Sequence, residues 1–206
     1  MKISATIAAV ALLATSAFAS PVAEADYGRG GHGGRKHGGG RAGKGRWCEE
    51  SGKPVQFSST YSVVATPDQV VNGTEFTGGL PGAIGYYEFG LNRRKNIVCY
   101  DIRIYGFRGE YESAADTATH MHEAPRGESG PPRLAFPNPK KTGNGDERRS
   151  QGCLYGPFET GIIDEETGMD TGAGFKVGQI ENDPDAFFCD AHSSLAVPGA
   201  IRGQLE

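Results

Sequence analysis

Short apolar runs alternate with Gly, Pro, Asn and Asp from Trp47 to the end of the chain. Within several runs apolar and polar residues alternate one by one, which is typical of a strand with one buried face. The clearest case is 96–107, where apolar side chains occupy the even positions from Val98 to Ile104 and polar side chains and Cys99 occupy the odd ones. No window carries an apolar stripe of helical period over three turns. The pattern therefore predicts strands and no long helix.

The predicted elements are short strands separated by turns and loops. We expect long loops at 124–152 and 159–174, and a loop joining two antiparallel strands at 91–96. Strands of this number and length predict an all-β fold, an antiparallel β-sandwich or a flattened Greek-key barrel of about eight strands. The predicted strands are 55–64, 83–91, 96–107, 117–124, 133–136, 153–158, 175–180, 186–192 and 200–205.

The N-terminus has the composition of a secretory signal peptide. One lysine precedes an apolar run from Ile3 to Leu13, and small residues at Ala17 and Ala19 fit cleavage after Ala19. Neither this run nor any later one is long enough to span a bilayer as a helix. The sequence predicts a signal peptide at 1–19 and a secreted, extracellular mature protein.

Residues 20–46 form a separate segment. Within it, 27–46 is dominated by Gly and carries six Arg or Lys and no acidic residue, whereas 47–206 carries 14 basic and 23 acidic residues. Such a segment has almost nothing to bury, so we expect a disordered tail followed by one β-domain at 47–206. The tail is either a solvated spacer or an electrostatic contact to polyanions. It has no aromatic residues interleaved with its cations, so specific nucleic-acid binding is not expected.

Four cysteines remain after the signal peptide: Cys48, Cys99, Cys153 and Cys189. An even number in an oxidising compartment predicts two disulfides, with three pairings possible. A zinc site is the weaker alternative, because no two cysteines are close enough for a Cys-x-x-Cys knuckle. A sequon at Asn72 adds a possible N-glycan, which suits a secreted glycoprotein.

The stretch "THMHEAPRGESGPP" at 119–132 carries the clearest candidate chemistry. His120 and His122 lie two apart on a predicted strand, so they share a face at a backbone spacing of about 6.6 Å. Two such imidazoles can converge on one ion, His192 can supply a third, and three imidazoles suit copper or zinc. The alternative is structural: the histidines hydrogen-bond the following loop. Asp190 would share a face with His192 and could orient its ring.

Arg202 lies before Gly203 on the last predicted strand. A buried arginine there would pair with a carboxylate such as Asp101 or Asp190 and act as a structural clamp. Gly203 is expected to permit a close backbone approach or a bulge. We expect Glu123 to be a surface or turn-capping carboxylate.

Signals of hydrolytic catalysis are missing from the sequence. It contains no Gly-x-Ser-x-Gly elbow and no outstanding pair of carboxylates, and pairing of the cysteines would remove a thiol nucleophile. We therefore assign no catalytic residue and expect a binding function rather than an enzymatic one.

Two segments carry a family resemblance, "THMHEAPRGESGPP" and "FFCDAHSSLAVPGAIRGQL". They resemble the CHRD domain, the module named after chordin, over roughly 57–206. That family shows a His-x-His strand before a Gly/Pro turn, and later a His-bearing strand and a closing Gly-x-Ile-Arg-Gly-Gln-Leu. The chain departs from it at Cys189 and in longer loops at 137–152 and 159–174. The closing motif comprises Gly199, Ile201, Arg202, Gly203, Gln204 and Leu205.

The resemblance implies a secreted single-domain member that acts as an extracellular binding or matrix module. Its partner would be an extracellular protein or a cell-wall or matrix polysaccharide, and we expect a monomer.

A fainter resemblance concerns 120–139, which is similar to the His-x-His-Glu strand and Gly-rich loop of Cu/Zn superoxide dismutase. It implies a superoxide dismutase-like sandwich and, as an alternative function, a copper- or zinc-binding protein with superoxide dismutase-like activity. That enzyme needs further histidines for its paired metals, and residues 47–206 contain three. A metal site here must therefore use His120, His122 and His192 together.

Overall fold

The computed structural model describes residues 54–206, which form two antiparallel sheets and a small hairpin. The first sheet has the strand order β1-β4-β5-β9-β8, the second β11-β10-β6-β7, and β2 pairs with β3. The predicted all-β antiparallel sandwich is confirmed. The strands are β1 Ser59–Ala65, β2 Val71–Asn72, β3 Glu75–Phe76, β4 Ile84–Asn92, β5 Ile97–Tyr105, β6 Thr119–Glu123, β7 Pro132–Ala135, β8 Lys140–Lys141, β9 Arg148–Tyr155, β10 Phe187–Ser193 and β11 Ala196–Gln204.

The core lies between the two sheets. The even positions of β5 from Val98 to Ile104 are buried in it, as the alternation predicts. From the second sheet, Met121 of β6 and Cys189 of β10 point into the same core. Because side chains alternate along a strand, their neighbours on β6 and β10 project from the outer face.

The two sheets approach each other where β1 ends. Thr66 and Arg202 exchange two backbone hydrogen bonds, 2.8 and 3.1 Å long. A Cβ at Gly203 would lie 2.5 Å from Val63 Cγ1, so only glycine permits this approach. The expectation of a close backbone contact at Gly203 is confirmed, and the contact holds β11 against the end of β1.

One predicted strand is wrong. Residues 175–180 lead into a short helix, α1, Gly178–Asn182, instead of forming a strand. Phe175, Val177 and Ile180 are all buried, and this spacing fits a loop and a helical turn as well as a strand. The side chains of Asn96 and Gln179 accept hydrogen bonds from the backbone N–H groups of Val177 and Lys176, which stabilises the turn.

The predicted loop at 124–152 also holds more structure than expected. It contains β7, which the predicted strand at 133–136 had identified, and also β8 and the first half of β9. The start of β9 is rich in polar residues, most of which are half-buried. Arg149 there donates two hydrogen bonds of 2.8 Å to buried Asp101 on β5.

The cysteines form one disulfide among the described residues. Cys99 and Cys153 lie opposite each other on β5 and β9 and are bonded. Cys189 is a free, fully buried thiol on the inner face of β10, so the prediction that it belongs to a second disulfide is wrong. Its side chain lies in the core between the sheets, away from the Cys99–Cys153 pair on the first sheet's outer face. Cys48 lies outside the described residues.

Asn72 is exposed at the end of β2, and the rest of its sequon lies in the turn before β3. Gly73 follows Asn72 with a φ of +66°, which suits glycine in a tight turn. N-glycosylation at this position stays a prediction. The predicted signal peptide and basic tail lie outside the described residues. The short helices that the structure describes in 54–206 are not long and apolar enough to cross a membrane.

Candidate metal centre

The outer face of the second sheet gathers the predicted site residues. Strand pairing sets His120 opposite Asp190, and Asp190 opposite Arg202 on the next strand. His122 lies opposite Phe188. Since Met121 and Cys189 fill the inner face, these side chains face away from the core, and His120 and His122 share a face as predicted.

Three imidazoles surround one carboxylate at this face. His120, His122, His192 and Asp190 are called the histidine cluster below. One ring nitrogen of each histidine points at the carboxylate: His120 Nδ1 lies 3.5 Å from Oδ1, and the Nε2 atoms of His122 and His192 lie 3.2 and 3.1 Å from Oδ2. The four donor atoms all lie within 4.8 Å of one another. The structure thus brings together the three predicted histidines.

The other ring nitrogen of each histidine is held by a backbone carbonyl. The distances are 2.6 Å from His120 Nε2 to Thr117 O, 2.8 Å from His122 Nδ1 to Gly130 O, and 3.0 Å from His192 Nδ1 to Val197 O. A carbonyl oxygen only accepts, so these nitrogens carry the ring hydrogens. In a neutral ring the remaining nitrogen, which faces Asp190, then has a lone pair and no hydrogen.

A ring nitrogen without a hydrogen cannot donate to the carboxylate of Asp190, so buried polar atoms in the cluster are left without hydrogen bonds. His120 Nδ1, His122 Nε2 and Asp190 Oδ1 are buried and have no hydrogen-bond partner. Buried polar atoms are normally paired, since an unpaired one costs about 1–3 kcal/mol. The arrangement requires positive charge between the rings and the carboxylate, either as protons or as a cation.

The electrostatics of the cluster favour such a charge. Burial raises the pKa of Asp190, but the interactions with the three histidines outweigh it and hold this pKa well below its usual value. Burial lowers the pKa of His192, but the charge of Asp190 and hydrogen bonds to Asp190 and Val197 outweigh it and raise this pKa to about 9. Without a metal, the cluster is therefore an ionised carboxylate with at least one protonated imidazole at neutral pH.

The nitrogen-to-carboxylate distances are close to those around a bound transition metal, whereas the four donor atoms as a set lie within 4.8 Å of one another and would have to draw together around an ion. Four donors at about 2.0 Å from one ion in a tetrahedron lie about 3.3 Å from one another. The three nitrogen-to-carboxylate distances, 3.1, 3.2 and 3.5 Å, are near this value. Carbonyls that hold the outer nitrogens of metal-binding imidazoles are also usual in such sites. The position of Asp190 among all three imidazoles was missed in the sequence, where it was expected to orient His192 only.

A cavity of about 90 Å³ gives access to the cluster. His122, Asp190 and His192 line it on one side, with Arg202 and the apolar Val70 among the other lining residues. His120, which is 1% exposed, does not line it. A ligand in the cavity would therefore meet the cluster from the side of His122 and His192.

Arg202 lies beside the cluster and holds the loop after β6. It is buried, its Nη1 donates to Glu128 O at 2.7 Å, and its Nη2 donates to Pro125 O and to Gln204 Oε1, both at 3.2 Å. Its guanidinium carbon lies 3.5 Å from the centre of the Phe188 ring. The expected clamp role is supported, but the expected carboxylate partner was wrong, because its hydrogen bonds go to carbonyl oxygens.

The remaining predicted residues have structural surroundings. Asp101 is paired with Arg103 and Arg149 on the first sheet, far along the chain from Arg202. Glu123 accepts a 2.7 Å hydrogen bond from Arg133 at the surface. In the closing motif, Ile201 and Leu205 are buried in the core, Gln204 donates to Ala124 O and Asp185 O, and Gly199 has a φ of +148°.

Comparison with known proteins supports the family assignment. No curated protein and no solved structure matches the chain. The CHRD domain model matches residues 61–205, which is most of the part that the structure describes. At the family level this indicates a binding module of the extracellular type, in keeping with the disulfide. The chain belongs to the CHRD domain family.

Proposed function

We propose that this chain is a secreted extracellular module that binds one zinc or copper ion through the histidine cluster. The observation that carries the proposal is the orientation of the three imidazoles. Each has one nitrogen fixed by a carbonyl and the other aimed at Asp190. This orientation leaves lone pairs and a carboxylate facing one point, which is the chemistry that a metal ion satisfies.

The donor types select the class of metal. Three imidazoles and one carboxylate suit zinc and copper, whereas calcium and magnesium prefer oxygen ligands. Four protein donors also match the tetrahedral coordination of zinc, which can expand to five when a further ligand binds. Since the described residues offer one such group of donors and superoxide dismutase pairs two metals, we propose metal binding without superoxide dismutase activity.

Secretion is part of the proposal. It is supported by the signal-peptide composition of residues 1–19, by the Cys99–Cys153 disulfide and by the family. The mature protein would then consist of the basic segment 20–46 and the β-domain at 47–206.

X-ray absorption of the zinc-loaded mature protein tests the site directly. The expected spectrum has about four N/O neighbours near 2.0 Å, with the outer-sphere scattering of imidazole rings. A shell of about six oxygens without imidazole scattering would contradict the proposal. Loading with Cu²⁺ in competition with Zn²⁺ identifies the preferred ion.

A second function, binding to an extracellular protein or to a cell-wall or matrix polysaccharide, is favoured by the family. The basic segment 20–46 would add electrostatic affinity for an acidic polymer. Retention on cell-wall glycans, measured with and without residues 20–46, tests this function. Retention of neither form would contradict it.

A further inference from the structure

The cavity beside the histidine cluster is also lined by a cation, Arg202, that makes no direct ion pair with a described carboxylate. Three of the five N–H groups of Arg202 are used, on two carbonyls and one amide oxygen. The N–H group at Nε and the second N–H group at Nη1 have no hydrogen bond to a described residue. Arg202 forms no ion pair with a described carboxylate, although it lies across the strand pair from Asp190 and lines the cavity.

The Phe188 ring fixes the guanidinium in this position. His122 stacks on Phe188 with ring centres 4.8 Å apart and planes 4° apart, and Arg202 lies over the same ring. Since β6 and β11 flank β10 on opposite sides, the ring lies between the imidazole and the guanidinium. The arginine is therefore pre-organised beside the cluster, which reduces the entropy lost when it binds a ligand.

A metal in the cluster would increase the need for an anion. A divalent ion, the guanidinium and the single carboxylate of Asp190 sum to roughly two positive charges in a buried region, and buried charge is costly unless it is balanced. The cavity volume of about 90 Å³ is several times what one water molecule requires. Its walls include Val70, Val71 and Ile201, which suit a short alkyl group.

We infer that the cavity binds a small carboxylate between Arg202 and the metal of the histidine cluster. The two free N–H groups of Arg202 can donate to an anion, and the apolar walls of the cavity favour an organic acid over a bare inorganic ion. The inference rests on the proposed metal site. The ligand of the cavity is either a free short acid or an acidic sugar that carries the carboxylate, and the experiment tests both.

The experiment uses the mature protein loaded with Co²⁺, whose visible absorption reports its coordination. Cobalt uptake is measured first. No uptake would contradict the proposed metal site and with it this inference. With cobalt bound, acetate and glucuronate are titrated separately, and a saturable change of the spectrum is expected from at least one of them. Saturation by acetate alone assigns a free short acid, and tighter binding of glucuronate assigns an acidic sugar.

Two variants and a matched control identify the cavity. Arg202→Lys keeps the charge but loses the free guanidinium N–H groups and their fixed position over Phe188, and we expect carboxylate affinity to fall about tenfold or more. Val71→Phe fills the cavity without touching a metal donor and should also weaken the carboxylate. Arg126→Lys alters an exposed arginine outside the cavity lining and should leave the affinity unchanged.

Cobalt affinity without carboxylate shows which variants remain folded, because an unfolded variant cannot form the cluster. A cobalt spectrum insensitive to both acids would overturn the inference while leaving the metal site intact. Equal carboxylate affinity in wild type and in the folded cavity variants would also overturn it.

Discussion

At the scale of single residues, ring orientation determines what the histidine cluster can do. The carbonyls of Thr117, Gly130 and Val197 fix which nitrogen of each ring carries hydrogen. The same contacts also satisfy the structural alternative for the histidines, since Gly130 belongs to the loop after β6. Pinning the loop and presenting lone pairs to a metal are therefore two results of one arrangement.

Asp190→Asn should weaken zinc binding by about ten- to a hundredfold, because the amide keeps the shape of the side chain but removes the negative charge between the imidazoles. Calorimetric titration of metal-free protein with zinc measures the affinity. Glu123→Gln is the matched control, since Glu123 lies on β6 next to His122 but pairs with Arg133 at the surface. Equal zinc affinity in Asp190→Asn and the control would show that Asp190 is not a donor.

As pH rises, the stability of the metal-free fold should fall, whereas the affinity for zinc should rise. The pKa of His192 is about 9 in the folded state, above its ordinary value of 6.5, so protonation stabilises the metal-free fold. This contribution is fully present below about pH 6.5 and is lost as pH rises through 9, by at most about 1.4 kcal/mol per pH unit. Metal must displace the same proton, so zinc affinity should rise over that range.

Chemical denaturation of metal-free protein between pH 6 and 9 measures the first effect, and zinc titration at the same pH values measures the second. A zinc affinity that falls between pH 6 and 9 would argue against His192 as a ligand.

At the scale of elements, β6 and its following loop position the site. The loop is attached at three points: Gly130 O accepts from His122, Ser129 and Gly73 bond each other, and Arg202 binds the carbonyls of Pro125 and Glu128. The Gly/Pro-rich sequence of this loop is thus suited to surrounding the cluster closely.

Gly130→Ala should reduce both stability and zinc affinity. A Cβ at Gly130 would lie about 2 Å from the Glu123 carbonyl oxygen, so the loop has to move and His122 loses its anchor. Thermal unfolding and zinc titration measure the two effects. In the control Gly145→Ala, the new Cβ meets no atom closer than 4.0 Å, so both quantities should stay near those of the wild type. Unchanged zinc affinity in Gly130→Ala would show that the loop does not position His122.

Sequence alternation predicted the elements that bury one face. The even positions of β5 and the reversed orientation of Met121 and the histidines on β6 follow directly from a period of two. Residues 175–180 and the start of β9 were misread, because a short apolar group fits several structures and Arg149 is stabilised by Asp101 from another strand. Such tertiary contacts leave no local sequence signal.

Asp190 shows the same limit at the candidate site. Its position on the face of His192 was predictable from spacing, but its place among three imidazoles depends on the pairing of β10 with β6. The pairing order of strands that are far apart in the chain is not encoded in local periodicity. Cys189 was expected to form a disulfide because the number of cysteines is even, and that number does not show which side chains point into the core.

At the scale of the whole molecule, the Cys99–Cys153 disulfide links two neighbouring strands of the first sheet across 54 residues of sequence. Its removal by Cys99→Ala/Cys153→Ala should lower the free energy of unfolding by about 4 kcal/mol, since a loop of this length is opened in the unfolded chain. Urea unfolding of metal-free protein measures the change. Cys189→Ala is the control, because it removes a buried sulfur without removing a cross-link. Equal loss of stability in this control and in the Cys99→Ala/Cys153→Ala variant would contradict the structural role of the disulfide.

The central claim is that the folded domain binds one metal ion through the histidine cluster. Metal content per chain, measured on the purified mature protein after exposure to zinc or copper and removal of unbound ion, tests it most directly. The comparison is with His120→Ala/His122→Ala, which retains the basic segment and its histidines. We predict close to one ion per chain in the wild type and almost none in the variant. Equal, substoichiometric metal in both proteins would contradict the account.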